Sequence, residues 1–486
     1  MAGENQTGRL PSTIARKGVA PTEVGEIANV DRDIGEIANV GGGMAEIAAG
    51  ARGTDPTMSG DRAAAHVTAI QRRTVTTLVG SQVAGGIGTS SGIAVAALAA
   101  ESIGSAGLSG LAQTASVLGS AIAAIPLSRL MAARGRRPGL ATGYLIAAGG
   151  AMVCITAGNL GLFWLFIAGM FLVGWATSAN LQARYAATDL ATDRTRARSV
   201  AIIVWATTAG AVVGPNLIDP GAVLANRLGL PALFGPFVFA LAAFGIAVAV
   251  VLLRLRPDPL LTARARSAMR ETNDATHVDR AIARPGTLTA LALIARHPGT
   301  LLAVLAMASA HAAMVAVMAM TPVHLTHDGA ALSVVGFVIS MHIAGMYSLS
   351  PLFGWLADVL GRVKVIVTGQ LLVLLATAVT GLAPSGGAGQ VGIGLTLLGL
   401  GWSCSLVAGS ALLSESVSLD IRPSVQGVAD LVMGLSAAAA AALAGLVIST
   451  WGYGILNAAA ASILAVPLLA AVRYARQTVP LGTLTG

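Results

Sequence analysis

Apolar stretches of about twenty residues recur along almost the whole chain, and no other feature of the sequence constrains the fold as strongly. Each stretch is long enough to cross a hydrocarbon core of roughly 30 Å as a helix. Only 11% of the 486 residues are charged and 55% are hydrophobic, whereas about a quarter of the residues of a soluble domain are charged. The sequence therefore predicts an all-α membrane protein and excludes an ordinary water-soluble fold.

Twelve apolar runs can be delimited, and the positive charges between them are unevenly distributed. The runs cover residues 74–100, 107–131, 139–158, 160–183, 199–219, 229–253, 299–323, 331–356, 363–383, 388–413, 425–448 and 453–473. When alternate connections are assigned to opposite sides, basic residues collect on one side and Arg227 alone falls on the other. The basic side carries Arg72, Arg73, Arg134, Arg136, Arg137, Arg194, Arg196, Arg198, Arg362, Lys364, Arg422, Arg473 and Arg476. Because excess Lys and Arg mark the cytoplasmic side, we expect a multi-pass protein of the cell (plasma or inner) membrane with both termini cytoplasmic.

The runs form two sets of six, separated by a long polar and basic connection. The predicted parts are a disordered cytoplasmic tail (1–66), an amino-terminal six-helix bundle (67–253), a cytoplasmic central loop (254–298), a carboxy-terminal six-helix bundle (299–476) and a short tail (477–486). A short amphipathic interfacial segment is the alternative for the amino-terminal tail.

Short internal matches relate the two sets of runs. Gly135-Arg136 recurs as Gly361-Arg362 after 226 residues, and Gly174-Trp175 recurs as Gly401-Trp402 after 227 residues. A parallel repeat at nearly one offset predicts two pseudo-symmetric bundles.

Several other classes of protein are disfavoured by the sequence. The net charge of +8 is sorted between loops as membrane topology requires, so we expect no nucleic-acid partner. Cys154 and Cys404 lie inside separate apolar runs, which indicates neither a disulfide nor a zinc site. No nucleotide loop or hydrolase motif is present, so we expect no enzyme activity and no cofactor. The expected partners are the lipid bilayer and a small-molecule or ion substrate, and we expect a monomer.

A charged motif lies between the eighth and ninth runs, where residues 354–364 read GWLADVLGRVK. This segment resembles the G-x-x-x-D-x-x-G-R-x-K/R signature of the major facilitator superfamily, which implies two six-helix bundles that transport a solute by alternating access. The resemblance implies that Asp358, Gly361, Arg362 and Lys364 gate the cytoplasmic side, with Asp358 binding Arg422 or a neighbouring loop arginine.

The first half departs from this signature. Around Gly135 and Arg136, which the resemblance also assigns to gating, the position of the acid is Ala132. A latch in the amino-terminal half must therefore use another carboxylate, and Asp189 and Asp193 are the candidates.

The fifth run ends in a glycine- and proline-containing segment, residues 210–215, which reads GAVVGP. It is similar to the fifth-helix motif of proton-coupled antiporters of the same superfamily, which implies a gating role for Gly214 and Pro215. Helix packing by small residues is the alternative.

Methionine and histidine share helix faces in the seventh and eighth runs. Met307, His311, Met314 and Met318 follow at i, i+4, i+7 and i+11, and His342 and Met346 are four residues apart. Thioether and imidazole ligands suit Cu(I). This pairing resembles the copper-importing branch of the superfamily, so a Cu(I) importer is one alternative function. Packing by methionine is the other interpretation of the same pattern.

Two ionisable residues fall within apolar runs. His311 lies near the middle of the seventh run, and Asp430 lies in the eleventh, about two turns after Arg422, with Gln426 one turn away. Because buried charge is costly in lipid, we expect His311, Asp430 and Gln426 to serve substrate binding or proton coupling.

Further polar residues in the runs are assigned by position. Gln82, Ser90, Ser91, Gln113 and Asn180 are candidates for lining a cavity. Arg184, Tyr185 and Asp189, at the inner end of the fourth run, are expected to be interfacial anchors and gate contacts.

The sequence as a whole predicts a proton-coupled secondary transporter of a small solute. The alternatives are the Cu(I) importer and a transporter-like membrane sensor that binds a ligand without moving it.

Overall fold

The computed structural model describes residues 56–104, 110–273 and 285–478, and regular structure in these residues is entirely helical. The membrane-spanning helices belong to the second of two compact units, Ala64–Gly486. Residues 1–55 and 479–486 of the predicted tails, 1–66 and 477–486, lie outside the described residues, whereas residues 56–66 begin the first helix. Both tail assignments therefore stay predictions.

The first half contains six membrane-spanning segments. Its helices are α1 (Pro56–Ile103), α2 (Gly110–Arg134), α3 (Arg136–Leu160), α4 (Phe163–Ala186), α5 (Arg196–Val213), α6 (Ile218–Arg227) and α7 (Gly235–Arg254). Helix α5 continues through a short 3₁₀ turn, Pro215–Leu217, into α6 as one span. A helix of 25 residues, such as α2 or α3, is about 37 Å long, which suffices to cross the hydrocarbon core.

The second half follows two short helices of the central connection, α8 (Pro259–Asn273) and α9 (Thr287–Arg296). Its helices are α10 (Pro298–His327), α11 (Leu332–Tyr347), α12 (Ser350–Leu360), α13 (Arg362–Gly381), α14 (Ala388–Glu415), α15 (Arg422–Ile463) and α16 (Ala465–Thr478). Helices α11 and α12 together form one span, which is interrupted at residues 348–349.

The described residues contain 11 helical stretches that are long and apolar enough to span a membrane. The last of them, Arg422–Gln477, is 56 residues long and cannot be a single span. Gly452 lies within it at φ 82°, a left-handed conformation that interrupts the helix. The stretch is therefore two spans joined at Gly452, and the total of twelve agrees with the sequence prediction.

The two halves use the same turn at equivalent positions. Gly135 separates α2 from α3 at φ 95°, and Gly361 separates α12 from α13 at φ 96°. Residues with a Cβ rarely adopt this region, so glycine permits the abrupt turn at both places. The repeat seen in the sequence is thus also a repeat of backbone conformation.

Each half has its own apolar core. In the first half Phe166 packs edge-to-face on Phe234 and Phe237, with ring centroids 5.5 and 5.6 Å apart. Large apolar side chains that face outward, among them Trp164 and Leu253, are 70% exposed, as expected for contact with lipid. The chain is an all-α membrane protein built as two pseudo-symmetric six-helix bundles.

Glycines bring α1 and α5 into close contact. A Cβ on Gly210 would lie 2.4 Å from the backbone of Gly86, and one on Gly214 would lie 2.1 Å from Ser90 Oγ. The Ser90 hydroxyl donates to the Gly210 carbonyl at 2.5 Å. The predicted glycine motif therefore packs two helices that both line the cavity described next.

Candidate functional site

A cavity of about 350 Å³ lies between the two halves. Its polar lining comes from α1, α4 and α5, and its aromatic lining comes from Tyr347 on α11 and Trp402 on α14. The polar residues of the lining are Gln82, Thr89, Ser90, Thr177, Asn180, Arg184 and Thr207. Three of the five polar candidates from the sequence, Gln82, Ser90 and Asn180, are thus part of the cavity, whereas Gln113 is exposed on α2.

Arg184 joins the two bundles next to this cavity. Its Nη2 donates to Asp430 Oδ1 at 2.5 Å, and the two side chains are 1% and 2% exposed. Tyr185 adds to the pair, because its hydroxyl accepts from Arg184 at 3.1 Å and donates to Asp430 at 3.4 Å. The sequence predicted an interfacial position for Arg184 and Tyr185, but both are buried between the halves.

The ion pair leaves polar atoms without partners. Among the described residues, Arg184 Nε and Nη1 and Asp430 Oδ2 are buried and form no hydrogen bond. An uncompensated buried donor costs about 1–3 kcal/mol, and more when the group is charged. A site with unused guanidinium donors is therefore suited to bind an acceptor from a ligand.

Gln426 and His311 make their hydrogen bonds with residues other than Arg184 and Asp430. Gln426 accepts from Arg136 at 2.8 Å and donates to Ser414 at 3.1 Å. His311 on α10 accepts at Nδ1 from Trp402 Nε1 at 2.9 Å. His311 thus contacts the cavity through Trp402, whereas Gln426 belongs to a charge cluster at the end of the molecule that carries the basic connections, here termed the basic end.

One contact between the halves at the basic end is the α12–α5 junction, formed by Asp358, Arg362 and Glu415 with residues 193–198. Asp358 accepts from the backbone N–H groups of Ala197 and Arg198, both at 3.0 Å. Because these are the first residues of α5, the carboxylate caps a helix N-terminus of the other half. Arg362 lies 3.3 Å from Asp358 and also binds the Asp193 carbonyl.

Glu415 completes this junction. It lies 2.6 Å from Arg362 and 3.3 Å from Arg196. The sequence proposed Arg422 or a loop arginine as the partner of Asp358. Arg422 instead lies 3.9 Å from Asp189, and the arginines beside Asp358 are Arg362 and Arg198.

The second contact at the basic end is the α2–α15 junction, formed by Ala132, Arg136, Asp189 and Arg264 with residues 420–427. Arg136 is 0% exposed, pairs with Asp189 at 2.8 Å and donates to Gln426 of the other half. Asp189 is therefore the first-half carboxylate in contact with this arginine, and Asp193 lies at the other junction.

Helix α8 reaches into the same junction. Arg264 Nη1 donates to the Ala132 carbonyl at 2.9 Å, and Nη2 donates to the Asp420 carbonyl at 3.1 Å. One arginine of the central connection thus binds both halves. The sequence placed Arg264 only among the loop charges, because nothing in its local pattern shows which carbonyls a loop arginine meets.

The remaining residues of the predicted gate are Gly214, Pro215 and Lys364. Gly214 and Pro215 are at the end of α5, and Pro215 lines the cavity. Lys364 is exposed on the first turn of α13. Their gating roles stay predictions.

The proposed copper ligands are mostly buried in helix contacts. Met307 accepts from the Ser410 hydroxyl at 3.5 Å, and His342 Nδ1 lies 2.7 Å from the Leu395 carbonyl. Met314 and Met346 are 3% and 8% exposed within the core of the second half, and Met318 packs against it. Copper binding therefore stays a prediction.

Sequence and structure comparisons identify related proteins. The family model described as Major Facilitator Superfamily matches residues 78–330 and 302–484. The MFS-type transporter YddS of Bacillus subtilis is 37% identical over 403 residues, which are 82% of this chain and 91% of YddS.

Two further similarities are more distant. The riboflavin transporter RfnT of Brucella anthropi is 25% identical over 343 residues, which are 70% of this chain and 80% of RfnT. The crystal structure of the human organic anion transporter MFSD10 superposes with a TM-score of 0.64 at 18% identity, covering 82% of this chain and 99% of MFSD10. At that identity the structural match supports the fold alone.

Proposed function

Because the chain belongs to the Major Facilitator Superfamily, we propose that it is a secondary transporter that moves a small solute by alternating access and couples this movement to protons. The observation that carries the proposal is the buried Arg184–Asp430 pair, which joins the two bundles beside a cavity lined by both.

Asp430 has the properties expected of a coupling residue. It is a buried carboxylate with one unpartnered oxygen, and its only cationic hydrogen-bond partner among the described residues belongs to the other bundle. Protonation of Asp430 removes the attraction to Arg184, and relative movement of the bundles separates the two side chains. Proton binding and alternating access are thereby linked through one contact.

Alternating access also requires contacts that close one side of the protein, and we assign this role to the two junctions at the basic end. The positive charges assign that end to the cytoplasm. Opening there requires the contacts of Asp358, Arg136 and Arg264 across the halves to break. Alternating access then amounts to exchanging these contacts for new ones at the opposite end.

Transport into reconstituted vesicles under an imposed pH gradient tests the proposal. A panel of organic solutes that includes riboflavin, chosen because of the relative RfnT, is screened with a pH-sensitive dye inside the vesicles. At least one solute is expected to accumulate and to change the internal pH. Asp430→Asn should abolish the pH change, whereas Asp219→Asn, at an exposed position on α6, is the matched control. Solute accumulation without proton movement would refute proton coupling.

The same vesicles separate the alternatives. Accumulation of Cu(I) that Met314→Leu reduces at equal protein abundance would favour the copper importer, because that change keeps the volume and removes the sulfur. Ligand binding without any solute movement would favour the sensor.

A further inference from the structure

We infer that the cavity binds an organic anion with a planar ring, and that Arg184 is the residue that binds its negative group; the inference rests on the proposed transport at this same site and names its substrate class. Arg184 is 1% exposed and lines the cavity. Its Nε and Nη1 have no partner among the described residues, so two charged donors remain for a ligand.

Charge balance identifies the ligand as an anion. In the observed state Arg184 and Asp430 compensate one another in a buried environment. When Asp430 takes up a proton, the Arg184 charge is left without compensation, which is costly at low dielectric. An anionic ligand restores the balance, since Arg184, the protonated Asp430 and the anion again sum to zero. A cationic ligand would instead add a second positive charge beside Arg184.

The surroundings of Asp430 leave Arg184 as the principal charge. Arg184 and Tyr185 contact Asp430 from α4, and Arg136 on α3 interacts with it electrostatically. His311 on α10 interacts electrostatically with Arg184. Protonation of Asp430 therefore acts chiefly on Arg184, a residue that lines the cavity.

The opposite wall favours a planar ring. Tyr347 and Trp402 both line the cavity, and their rings meet edge-to-face with centroids 5.9 Å apart. The Trp402 indole is held by its hydrogen bond to His311. Fixed aromatic surfaces bind planar ligands well because little conformational freedom is lost. Gln82 Oε1 is also buried without a partner in the described chain and offers an acceptor to a donor group on the ring.

Matched ligand triples test the inference on the purified full-length protein. The probes are benzoate, benzamide and benzylamine; nicotinate, nicotinamide and 3-picolylamine; and indole-3-acetate, indole-3-acetamide and tryptamine. Each triple keeps the ring and changes only the group. Thermal stabilisation is expected to be largest for a carboxylate, and larger at acidic than at alkaline pH. No stabilisation by any carboxylate, or equal stabilisation by its amide or amine, would overturn the inference.

Two variants separate binding from folding. Asp430→Asn mimics the protonated state, so carboxylate binding should tighten by about tenfold and lose its pH dependence. Arg184→Gln combined with Asp430→Asn removes both charges together, which avoids an unpaired buried ion, and should not bind carboxylates. Unchanged carboxylate affinity in Asp430→Asn, or retained affinity in the double variant, would contradict the role of Arg184.

Failure of the anion inference can be distinguished from failure of the proposed transport function. Carboxylate binding that obeys these rules without vesicle transport would leave the anion site intact and refute transport. Proton-coupled movement of neutral or cationic solutes alone would preserve transport and refute the anion site.

Discussion

The two junctions at the basic end connect the halves at equivalent positions but with opposite chemistry. At the α12–α5 junction the Asp358 carboxylate accepts from two backbone N–H groups. The equivalent of Asp358, 226 residues earlier, is Ala132. At the α2–α15 junction the Arg264 guanidinium instead donates to two backbone carbonyls, including that of Ala132.

The facing helices explain this difference. Asp358 caps α5 through Ala197 and Arg198, the second and third residues of that helix, and the second and third residues of α15 are Pro423 and Ser424. Proline has no N–H, so an acid at position 132 would lack one of the two donors that Asp358 uses. The acid that is absent at position 132 thus faces a helix that lacks one of the two N–H donors. Arg264 of α8 connects the two halves at this junction instead.

The ion pairs at the two junctions also differ in the exposed fraction of their side chains. Arg136 and Arg362 are equivalent, and each pairs with an acid, Asp189 or Glu415. The Arg136–Asp189 side chains are 0% exposed, whereas those of Arg362 and Glu415 are 10% and 26% exposed. The α2–α15 junction is therefore the more sensitive to loss of charge.

The largest effect is expected from Arg136→Gln. It leaves Asp189 buried with the more distant Arg422 as its one remaining cation among the described residues, and breaking a buried pair costs about 3–5 kcal/mol. The melting temperature and the membrane abundance should both fall. Arg362→Gln is the matched control, because Glu415 keeps Arg196 as a partner, and its effect should be clearly smaller. Equal losses in the two variants would contradict the difference in burial.

A smaller effect on stability, but a large one on transport, is expected from Asp358→Asn. The change weakens a charge-assisted cap that is worth about 1–3 kcal/mol, so the closed basic end is populated less. Transport should fall several-fold at nearly normal abundance, measured in the vesicle assay. Equal rates at equal abundance would remove the latch role of Asp358.

Ala132→Asp is the reciprocal variant at the other junction. Because Pro423 cannot donate, the new carboxylate should not raise the melting temperature. A stabilisation as large as the loss in Asp358→Asn would show that the proline does not matter.

Arg264→Gln should have an effect of about 1 kcal/mol or less, because the side chain is 19% exposed and its ion pair with Asp420 is at the surface. Faster backbone hydrogen exchange is expected in residues 420–427 and not in residues 193–198. Faster exchange in both segments would mean that the junctions open together rather than independently.

Translation from Met58 should have the smallest effect. All the side-chain contacts described at the two junctions come from residue 132 onwards, so insertion and transport should be preserved. Membrane fractionation and the vesicle assay check this expectation, and loss of insertion would refute the assignment of residues 1–57 as a dispensable tail.

Much of the architecture could be predicted from local pattern alone. Span length and the sorting of Arg and Lys between connections depend on residues close together in the sequence, and the Gly135/Gly361 repeat is a match between two short motifs. Even the interruption at Gly452 follows a boundary between two apolar runs. The sequence left the partner of Asp358 open between Arg422 and a loop arginine, because several arginines and acids at the basic end satisfy the same local pattern.

The sequence by itself determined that this chain is a twelve-span helical membrane protein of two related halves, because hydrophobic length and charge placement are properties of each segment. Only the tertiary structure decided that Arg184 meets Asp430, 246 residues away, and that Arg264 stands in for a missing acid. Such pairings depend on which helix faces meet across the two bundles. No local periodicity encodes that choice, since the buried partners of a side chain are set by packing between distant segments.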